Sequence, residues 1–363
     1  MGTRRLAVAA YPRELPTNPY CELLYRHVER LGVDVAEGSS GLRWLVRHRR
    51  DVRVLHFHWP ERHFRPRSVR SALGFAFRLL VARVLGYRLA WTVHNVAPHE
   101  DRTPGDRLVR AVMRRLATLV VHCEAARTAL GRAGRHAMVI PHGSYVGRYP
   151  NEIGAAAARA RLGLEPTPRV LLAFGQVRPY KGVGPLVRAF RALEAPDARL
   201  VIAGEPVRGA RACLAGLADP RVRLALRRVP DAEIQVFMNA ADLVVLPYRA
   251  VLTSGAAMLA LSFGRGIIAP RLGCLAELER SGAAILYDPD EADGLDRALA
   301  LALEVDPARL GQAARRVAAG LSWDAIARRH LVVYGLAPSL TLLRRGAPGA
   351  GDVARAPRAH LRG

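Results

Sequence analysis

The stretch Phe174-Gly175-Gln176-Val177-Arg178-Pro179-Tyr180-Lys181-Gly182-Val183 joins a predicted buried strand to a predicted amphipathic helix. The strand is the apolar run 170–174, and the helix, 184–193, repeats leucine, valine and phenylalanine at helical spacing. Loops that follow parallel strands and precede helices are where open α/β sheets bind anions. The stretch therefore predicts a doubly wound α/β fold with a ligand site in this loop.

Two cations lie in this loop, Arg178 and Lys181. Arginine can hold phosphate oxygens through two parallel hydrogen bonds, and lysine acts as a mobile point charge, so the pair suits a diphosphate. Lys181 is the single lysine of the chain, which makes its position notable. An ordinary solvated basic loop is the alternative that this segment leaves open.

Length and composition favour two domains and leave the reason for the charge open. A chain of 363 residues exceeds the size at which one core usually stops growing. The formal charge of +24 comes from arginine, which a GC-rich coding genome would also produce. Aromatic residues make up 6% of the chain and do not interleave with the arginines, so nucleic-acid binding is not favoured.

Strand-like and helix-like segments alternate in two series, which predicts two Rossmann-like domains. The first series occupies 1–150 and the second 169–320. Between them, the segment 146–168 is polar and Pro-rich at its ends, and 151–168 within it is interpreted as the linker. The last residues, 344–363, are rich in arginine, glycine, alanine and proline and are predicted to be disordered.

A basic cluster precedes an apolar helix in the first domain. Its arginines are Arg62, Arg65, Arg67 and Arg70. The helix predicted over 72–85 is interrupted by Arg78 and Arg83, a pattern typical of a segment lying on a membrane surface rather than spanning it. We expect peripheral contact with an anionic membrane, with an ordinary exposed helix as the alternative.

The cysteines and the start of the sequence favour the cytoplasm. Cys21, Cys123, Cys213 and Cys274 are scattered without CxxC spacing, so the sequence predicts neither a zinc site nor a disulfide framework. There is no cleavable signal pattern and no run long enough to span a membrane. The expected location is the cytoplasm, with peripheral binding to the inner face of the membrane.

Five segments, including the one quoted first, follow one another along the chain: WTVHN at 91–95, VIPHGSY at 139–145, FGQVRPYKG at 174–182, ADLVVLPYR at 241–249 and TSGAAMLALSFGRGIIAP at 253–270. Together they make the chain resemble the family 4 glycosyltransferases over about 5–335. The resemblance implies the GT-B fold, two facing Rossmann-like domains with a cleft between them. It also implies that 1–150 binds the acceptor, that 169–320 binds the nucleotide sugar and that a helix in 321–343 crosses back to the first domain.

The resemblance implies roles for donor-side residues. Arg178 and Lys181 would bind the donor diphosphate and stabilise the charge that builds on it as the glycosidic bond breaks, without a metal or other cofactor. His94 would orient the transferred sugar. Ser254 and Gly255 would hold the distal phosphate or the sugar, although Ser254 could simply cap a helix. Glu277 would bind the ribose or else brace the structure.

The acceptor is expected to contact the loops of the first domain. Trp59 could stack on a sugar ring while His58 and Glu61 bond its hydroxyls. His56 and His58 alternate on a strand but lack a third metal ligand. Asn18 and Tyr20 follow the first strand, where the family commonly has a glycine-rich turn, and Tyr20 is expected to shape the acceptor entrance.

The chain departs from the family where two glutamates usually stand eight residues apart. The corresponding positions are near Val251 and Leu259. Retention of the anomeric configuration is the family expectation, and this loss weakens it. A nucleotide-sugar epimerase and a non-catalytic membrane- or RNA-binding protein on a degenerate GT-B scaffold are the alternatives. The expected function is transfer of a hexosyl group to a polysaccharide, lipid-linked or small-molecule acceptor.

Overall fold

A computed structural model gives the fold of residues 7–64, 68–95, 103–164, 169–207, 210 and 218–336. These residues form two six-stranded sheets, and all the strand pairs within each sheet are parallel. Helices flank both sheets, as expected when both faces of a parallel sheet are buried.

The first sheet lies within residues 7–139. Its strands are β1 (Ala7–Tyr11), β2 (Asp34–Glu37), β3 (Val52–Phe57), β4 (Arg88–Thr92), β5 (Ala117–Val121) and β6 (Met138–Val139). Their spatial order is β2-β1-β3-β4-β5-β6. The helices are α1 (Tyr20–Arg30), α2 (Leu42–His48), α3 (Val69–Val84), α4 (Pro104–Leu116) and α5 (Glu124–Ala129). Because the order reverses between β1 and β3, the loops after these two strands flank a topological switch point.

The second sheet lies within residues 169–287. Its strands are β7 (Arg169–Phe174), β8 (Ala198–Ala203), β9 (Val222–Ala225), β10 (Leu243–Val245), β11 (Gly266–Pro270) and β12 (Ala284–Tyr287). The order is β12-β11-β10-β7-β8-β9, so the loop after β7 lies at the switch point. The remaining helices are α6 (Ala155–Arg161), α7 (Val183–Ala192), α8 (Ile234–Ala240), α9 (Gly255–Ser262), α10 (Gly294–Glu304), α11 (Pro307–Ala319) and α12 (Trp323–Tyr334).

Part of the predicted linker is a packed helix. Arg159 of α6 forms an ion pair with Asp242, at 2.8 Å, and its guanidinium also donates to the Ala240 carbonyl. The backbone amide of Glu152 donates to the Gln235 side chain at 2.9 Å. Residues 151–164 are therefore attached to the second sheet, whereas 165–168 lie outside the described residues. The predicted domain boundaries stay a prediction.

Helix α12 leaves the second half of the chain and packs against α1. His27 and Asp324 approach to 2.7 Å, and the Trp323 indole donates to the Ser144 carbonyl at 2.6 Å. At the other end, Arg88 donates to the Tyr334 carbonyl. Residues 337–343 of the predicted crossing segment and the tail 344–363 lie outside the described residues.

The prediction that no disulfide forms is wrong. Cys123, at the start of α5, is bonded to Cys274 after β11, with Cα atoms 5.5 Å apart. The two cysteines are 151 residues apart, so only the tertiary fold brings them together, and their spacing carries no signal. The bond connects the parts of the chain that carry the two sheets.

Candidate active site

A cleft of about 780 Å³ lies between the loops at the carboxyl ends of the two sheets. Residues after β1, β3 and β4 form much of one wall: Asn18, Glu22, Trp59, Glu61 and Asn95. Residues after β7, β8, β9 and β10 form much of the other: Gln176, Arg178, Lys181, Glu205, Arg228 and Gly255. This is the position at which doubly wound sheets bind ligands.

Two glycines allow the loops of the second wall to touch. Gly182 has a φ of +68°, and a Cβ there would lie 1.9 Å from the Pro247 carbonyl oxygen. A Cβ on Gly204 would lie 2.1 Å from the Gly175 carbonyl oxygen. Side chains at these positions would push the loops after β7, β8 and β10 apart. The glycines thus set the shape of the cation-bearing loop.

Arg178 and Lys181 both face the cleft. The Arg178 guanidinium donates to the Gln176 side-chain oxygen through two nitrogens, each at 3.2 Å. The Lys181 ammonium lies 5.8 Å from the centre of the Tyr248 ring. Burial, and secondarily the Arg178 charge, lower the pKa of Lys181 to about 8. A bound diphosphate would offset both effects.

Ser254 caps helix α9. Its hydroxyl accepts a hydrogen bond from the Ala257 amide at 3.1 Å and lies 3.2 Å from the Tyr248 hydroxyl. The side chain is buried, whereas the next residue, Gly255, lines the cleft. Ser254 therefore acts as a helix cap in this structure. Of the two residues, Gly255 is the one whose backbone a ligand in the cleft could contact.

On the opposite wall, Glu61 is paired with Arg110 of α4 at 3.3 Å. The Arg110 guanidinium is buried, lies over the Trp91 ring and also donates to the Asn95 carbonyl at 2.9 Å. Burial raises the pKa of Glu61, and the Arg110 charge opposes that rise. Arg110 thus links two cleft loops. Sequence reasoning missed it because no motif marks an inward-facing arginine on a basic helix.

Behind Trp59 lies a chain of buried histidines. His122 Nδ1 lies 2.9 Å from the Ile140 carbonyl, and His122 Nε2 lies 3.4 Å from His94 Nδ1. His94 Nε2 lies 3.1 Å from His58 Nδ1, and His58 Nε2 lies 2.7 Å from the Tyr25 hydroxyl. The carbonyl can only accept, so each neutral imidazole must donate through Nδ1 and accept through Nε2. The contacts therefore assign every tautomer in the chain.

Burial keeps these histidines neutral. It lowers the pKa of His122 to about 4 and the pKa of the neighbouring His142 to about 3, and it holds the pKa values of His58 and His94 well below the ordinary value. A proton on any ring would remove an acceptor from the chain. The network is consequently a rigid neutral support for the cleft wall.

Three residues predicted to contact substrates lie inside this support rather than on the cleft. His94 and His58 are buried, and Tyr20 is fully buried among the rings of His58, His94, His122 and His142. Trp59 stacks on His94 with ring centres 4.4 Å apart and forms the cleft surface. Their rings are used in packing, and the substrate contacts predicted for His94, His58 and Tyr20 stay predictions. Asn18, Trp59 and Glu61 do line the cleft.

Glu277 does not reach the cleft. Its carboxylate accepts from the backbone amides of Glu124, at 2.8 Å, and Ala125, at 3.4 Å, at the start of α5. These two bonds fit the bracing role given as its alternative, and the contact with a ribose stays a prediction. The first amides of a helix have no partner within the helix, which favours a carboxylate at this place.

These features define a GT-B class transferase, and comparisons with known proteins agree. The family described as "Glycosyl transferases group 1" matches residues 168–304. The GDP-mannose:glycolipid 4-beta-D-mannosyltransferase of Xanthomonas campestris pv. campestris is 31% identical over 290 residues, 75% of this chain and 76% of the relative. The D-inositol 3-phosphate glycosyltransferase of Mycolicibacterium gilvum is 33% identical over 192 residues, 50% of this chain and 42% of the relative.

Solved structures share the fold at low sequence identity. Anabaena HepE in complex with UDP superposes with a TM-score of 0.70 at 16% identity, over 91% of this chain and 99% of that one. WaaG, a glycosyltransferase involved in lipopolysaccharide biosynthesis, has a TM-score of 0.64 at 14% identity, over 91% and 100%. The chain belongs to the group 1 glycosyltransferases, and the family and the GT-B fold predicted from its motifs are confirmed. It is an enzyme that uses nucleotide-sugar donors, and the non-catalytic alternative is not favoured.

Proposed function

We propose that this glycosyltransferase moves a hexosyl group from a nucleoside-diphosphate sugar to a hydroxyl of a lipid-linked acceptor. The observation that carries the proposal is one cleft in which Arg178 and Lys181 face Trp59 and Glu61. The cations suit a diphosphate, and an indole beside a carboxylate suits a sugar ring and its hydroxyls. The donor thus contacts the second-sheet wall and the acceptor the first-sheet wall.

A lipid-linked acceptor is preferred to a soluble one because the relative named for a glycolipid acceptor matches more of this chain. The relative named for a glycolipid acceptor matches three quarters of this chain, whereas the one named for inositol phosphate matches half. Acceptor-binding loops vary between enzymes, so the relative that matches more of the chain is the better guide. A polysaccharide or small-molecule acceptor is the competing outcome of a turnover assay.

In the proposed reaction, the bond from the anomeric carbon to the donor diphosphate breaks and a bond to the acceptor oxygen forms. The electron pair of the broken bond stays on the diphosphate, where Arg178 and Lys181 stabilise it without a divalent metal. The proton of the acceptor hydroxyl leaves on the departing phosphate. Activity that survives removal of divalent cations by chelation supports metal independence, and loss restored by one added metal contradicts it.

We propose retention of the anomeric configuration, as the family resemblance implies. The replacement of the usual acids near Val251 and Leu259 is the reason to test it directly. The Xanthomonas relative is named for a beta-D-mannosyl product, and a beta product from an alpha-linked donor forms with inversion, so this name argues against retention. NMR assignment of the anomeric linkage in the product, compared with that in the donor, decides the course, and inversion contradicts the proposal.

The donor site is tested by thermal stabilisation of the purified protein with UDP, GDP, dTDP and ADP. Binding to the folded state raises the midpoint of unfolding. We expect one nucleotide to stabilise the wild type but not Lys181→Ala. Arg188→Ala, on the exposed side of α7, is the matched loss of one charge and keeps the response. Absence of stabilisation by all four nucleotides contradicts the proposed donor site. Turnover of the selected nucleotide's sugar onto a glycolipid then tests the acceptor.

A further inference from the structure

Exposed apolar side chains are concentrated on one face of the first-sheet half. Ten large hydrophobic residues are exposed in the described part of the chain, and seven of them belong to α2 and α3. They are Leu42, Val46, Val69, Leu73, Phe77, Leu80 and Val84. Scattered exposed leucines need no explanation, but a cluster of this kind marks an interaction surface.

The α3 members form a stripe. At 100° per residue, Val69, Leu73, Phe77, Leu80 and Val84 fall within an arc of about 80°. A different side of the same helix, which includes Phe75 and Leu79, is buried against the first sheet. The helix therefore has two apolar faces, and the core uses one of them. The exposed fraction of the Phe77 side chain is 56%.

The charge on these helices has one sign. Neither Leu42–His48 nor Val69–Val84 contains an acidic residue. Arg43, Arg47 and Arg70 are exposed beside the apolar side chains. Basic residues that flank an apolar stripe are the composition of helices that lie in the interface of an anionic bilayer. Among the described residues, no helix is both long and apolar enough to cross a membrane.

We propose that the α2–α3 face docks on an anionic lipid bilayer, with the α3 stripe facing the acyl chains and the arginines at the lipid phosphates. A second copy of this chain is a poorer occupant, because a two-fold contact would bring arginine-bearing faces together without acids to pair them. This docking rests on the proposed lipid-linked acceptor. Helix α3 follows β3, so it begins at the carboxyl end of the sheet, where Trp59 and Glu61 also lie. The α2–α3 face therefore borders the cleft wall that is proposed to bind the acceptor.

The test is co-sedimentation of the full chain with phosphatidylcholine vesicles, with and without phosphatidylglycerol. We expect binding that requires phosphatidylglycerol, weakens with salt and falls about tenfold or more in Leu73→Ser/Phe77→Ser. Arg43→Gln/Arg47→Gln should lower binding to the anionic vesicles. Leu224→Ser/Leu301→Ser removes two exposed leucines elsewhere and should bind like the wild type.

The docking is overturned if the wild type does not bind anionic vesicles. It is also overturned if Leu73→Ser/Phe77→Ser and Leu224→Ser/Leu301→Ser lose vesicle binding equally. Sedimentation velocity without lipid gives a further arm, because self-association abolished by Leu73→Ser/Phe77→Ser assigns the face to a second copy instead. Nucleotide stabilisation and turnover of a detergent-solubilised acceptor are measured alongside. Wild-type protein that turns over the acceptor but does not bind vesicles defeats the docking alone, and wild-type protein that binds vesicles without turnover defeats the proposed function alone.

Discussion

Lys181 lies where its charge matters for the donor. Truncation in Lys181→Ala should lower kcat/KM by about 10²–10³-fold, because a preorganised cation near the developing negative charge is lost. Lys181→Arg should recover part of the activity, since the charge returns with a different geometry. Steady-state kinetics with saturating acceptor measure both variants. An alanine variant with wild-type kcat/KM would remove Lys181 from the mechanism.

The pH dependence follows from the same ammonium group. Its pKa is lowered to about 8 by burial and by Arg178, so the free enzyme loses this cation as pH rises through 8. Donor affinity should therefore fall at alkaline pH, while a bound diphosphate raises the pKa again. Nucleotide titrations from pH 6.5 to 9.5 measure this fall in affinity. In Lys181→Arg the affinity should not fall in this range, because arginine stays protonated.

Arg110 is predicted to act through Glu61. Arg110→Gln should raise the acceptor KM about tenfold and leave nucleotide binding unchanged, because the guanidinium orients the Glu61 carboxylate. The Arg110 charge opposes the rise that burial causes in the pKa of Glu61. Loss of Arg110 should therefore raise that pKa further, and the fall of acceptor-dependent turnover on the acid side (the acid limb) should move to higher pH. Glu61→Gln should lack that limb. A simple packing role would lower stability and leave the position of the limb unchanged.

At the scale of elements, the buried histidines couple folding to pH. Their pKa values in the folded protein lie below that of a free histidine, so the unfolded chain binds more protons as pH falls below about 6.5. The free energy of unfolding should then decline by about 1.4 kcal/mol per pH unit for each such histidine. Urea unfolding at pH 7.5 and 5.5 measures the decline. His122→Gln should reduce the slope, whereas His136→Gln, at an exposed site, should not.

Elements with strong local patterns can be predicted, and weak ones cannot. Strand β7 is an apolar run of the right length, and its predicted bounds agree with the structure to within one residue. Strand β2 escapes prediction because Val35 is its one buried residue, which leaves no alternation to detect. Helices α2 and α11 are not predicted either. Helix α6 is interpreted as part of a linker because the sequence of Ala155–Arg161 shows no clear apolar face.

At the scale of the whole molecule, the Cys123–Cys274 bond ties together the parts that carry the two sheets. Closing a loop of 151 residues should stabilise the protein by about 5 kcal/mol in the chain-entropy model. Cys123→Ser/Cys274→Ser should unfold at a lower denaturant concentration, with Cys21→Ser as the control for a buried thiol. Thiol titration of the denatured protein should find two fewer thiols before reduction than after it. Equal counts before and after reduction would contradict the bond.

Contacts between distant segments limit what the sequence reveals about the site. The cation loop, Trp59 and Glu61 are predictable because each follows a strand, and strand ends converge in this fold. Three other features depend on tertiary packing: the pairing of Arg110 with Glu61, the layer of histidines behind Trp59 and the position of Glu277 at the start of α5. Those residues carry no local signal, since packing against remote partners decides their role.

The lone lysine makes this enzyme chemically addressable. Lys181 is the single side-chain amine of the chain and faces the cleft, and its lowered pKa of about 8 leaves more free amine near neutral pH than an ordinary lysine has. Acylating or reductively alkylating reagents should therefore modify this position ahead of the rest of the protein's side chains. Acylation of this amine should abolish nucleotide binding without any engineered residue, and protection by the correct nucleotide would identify the natural donor.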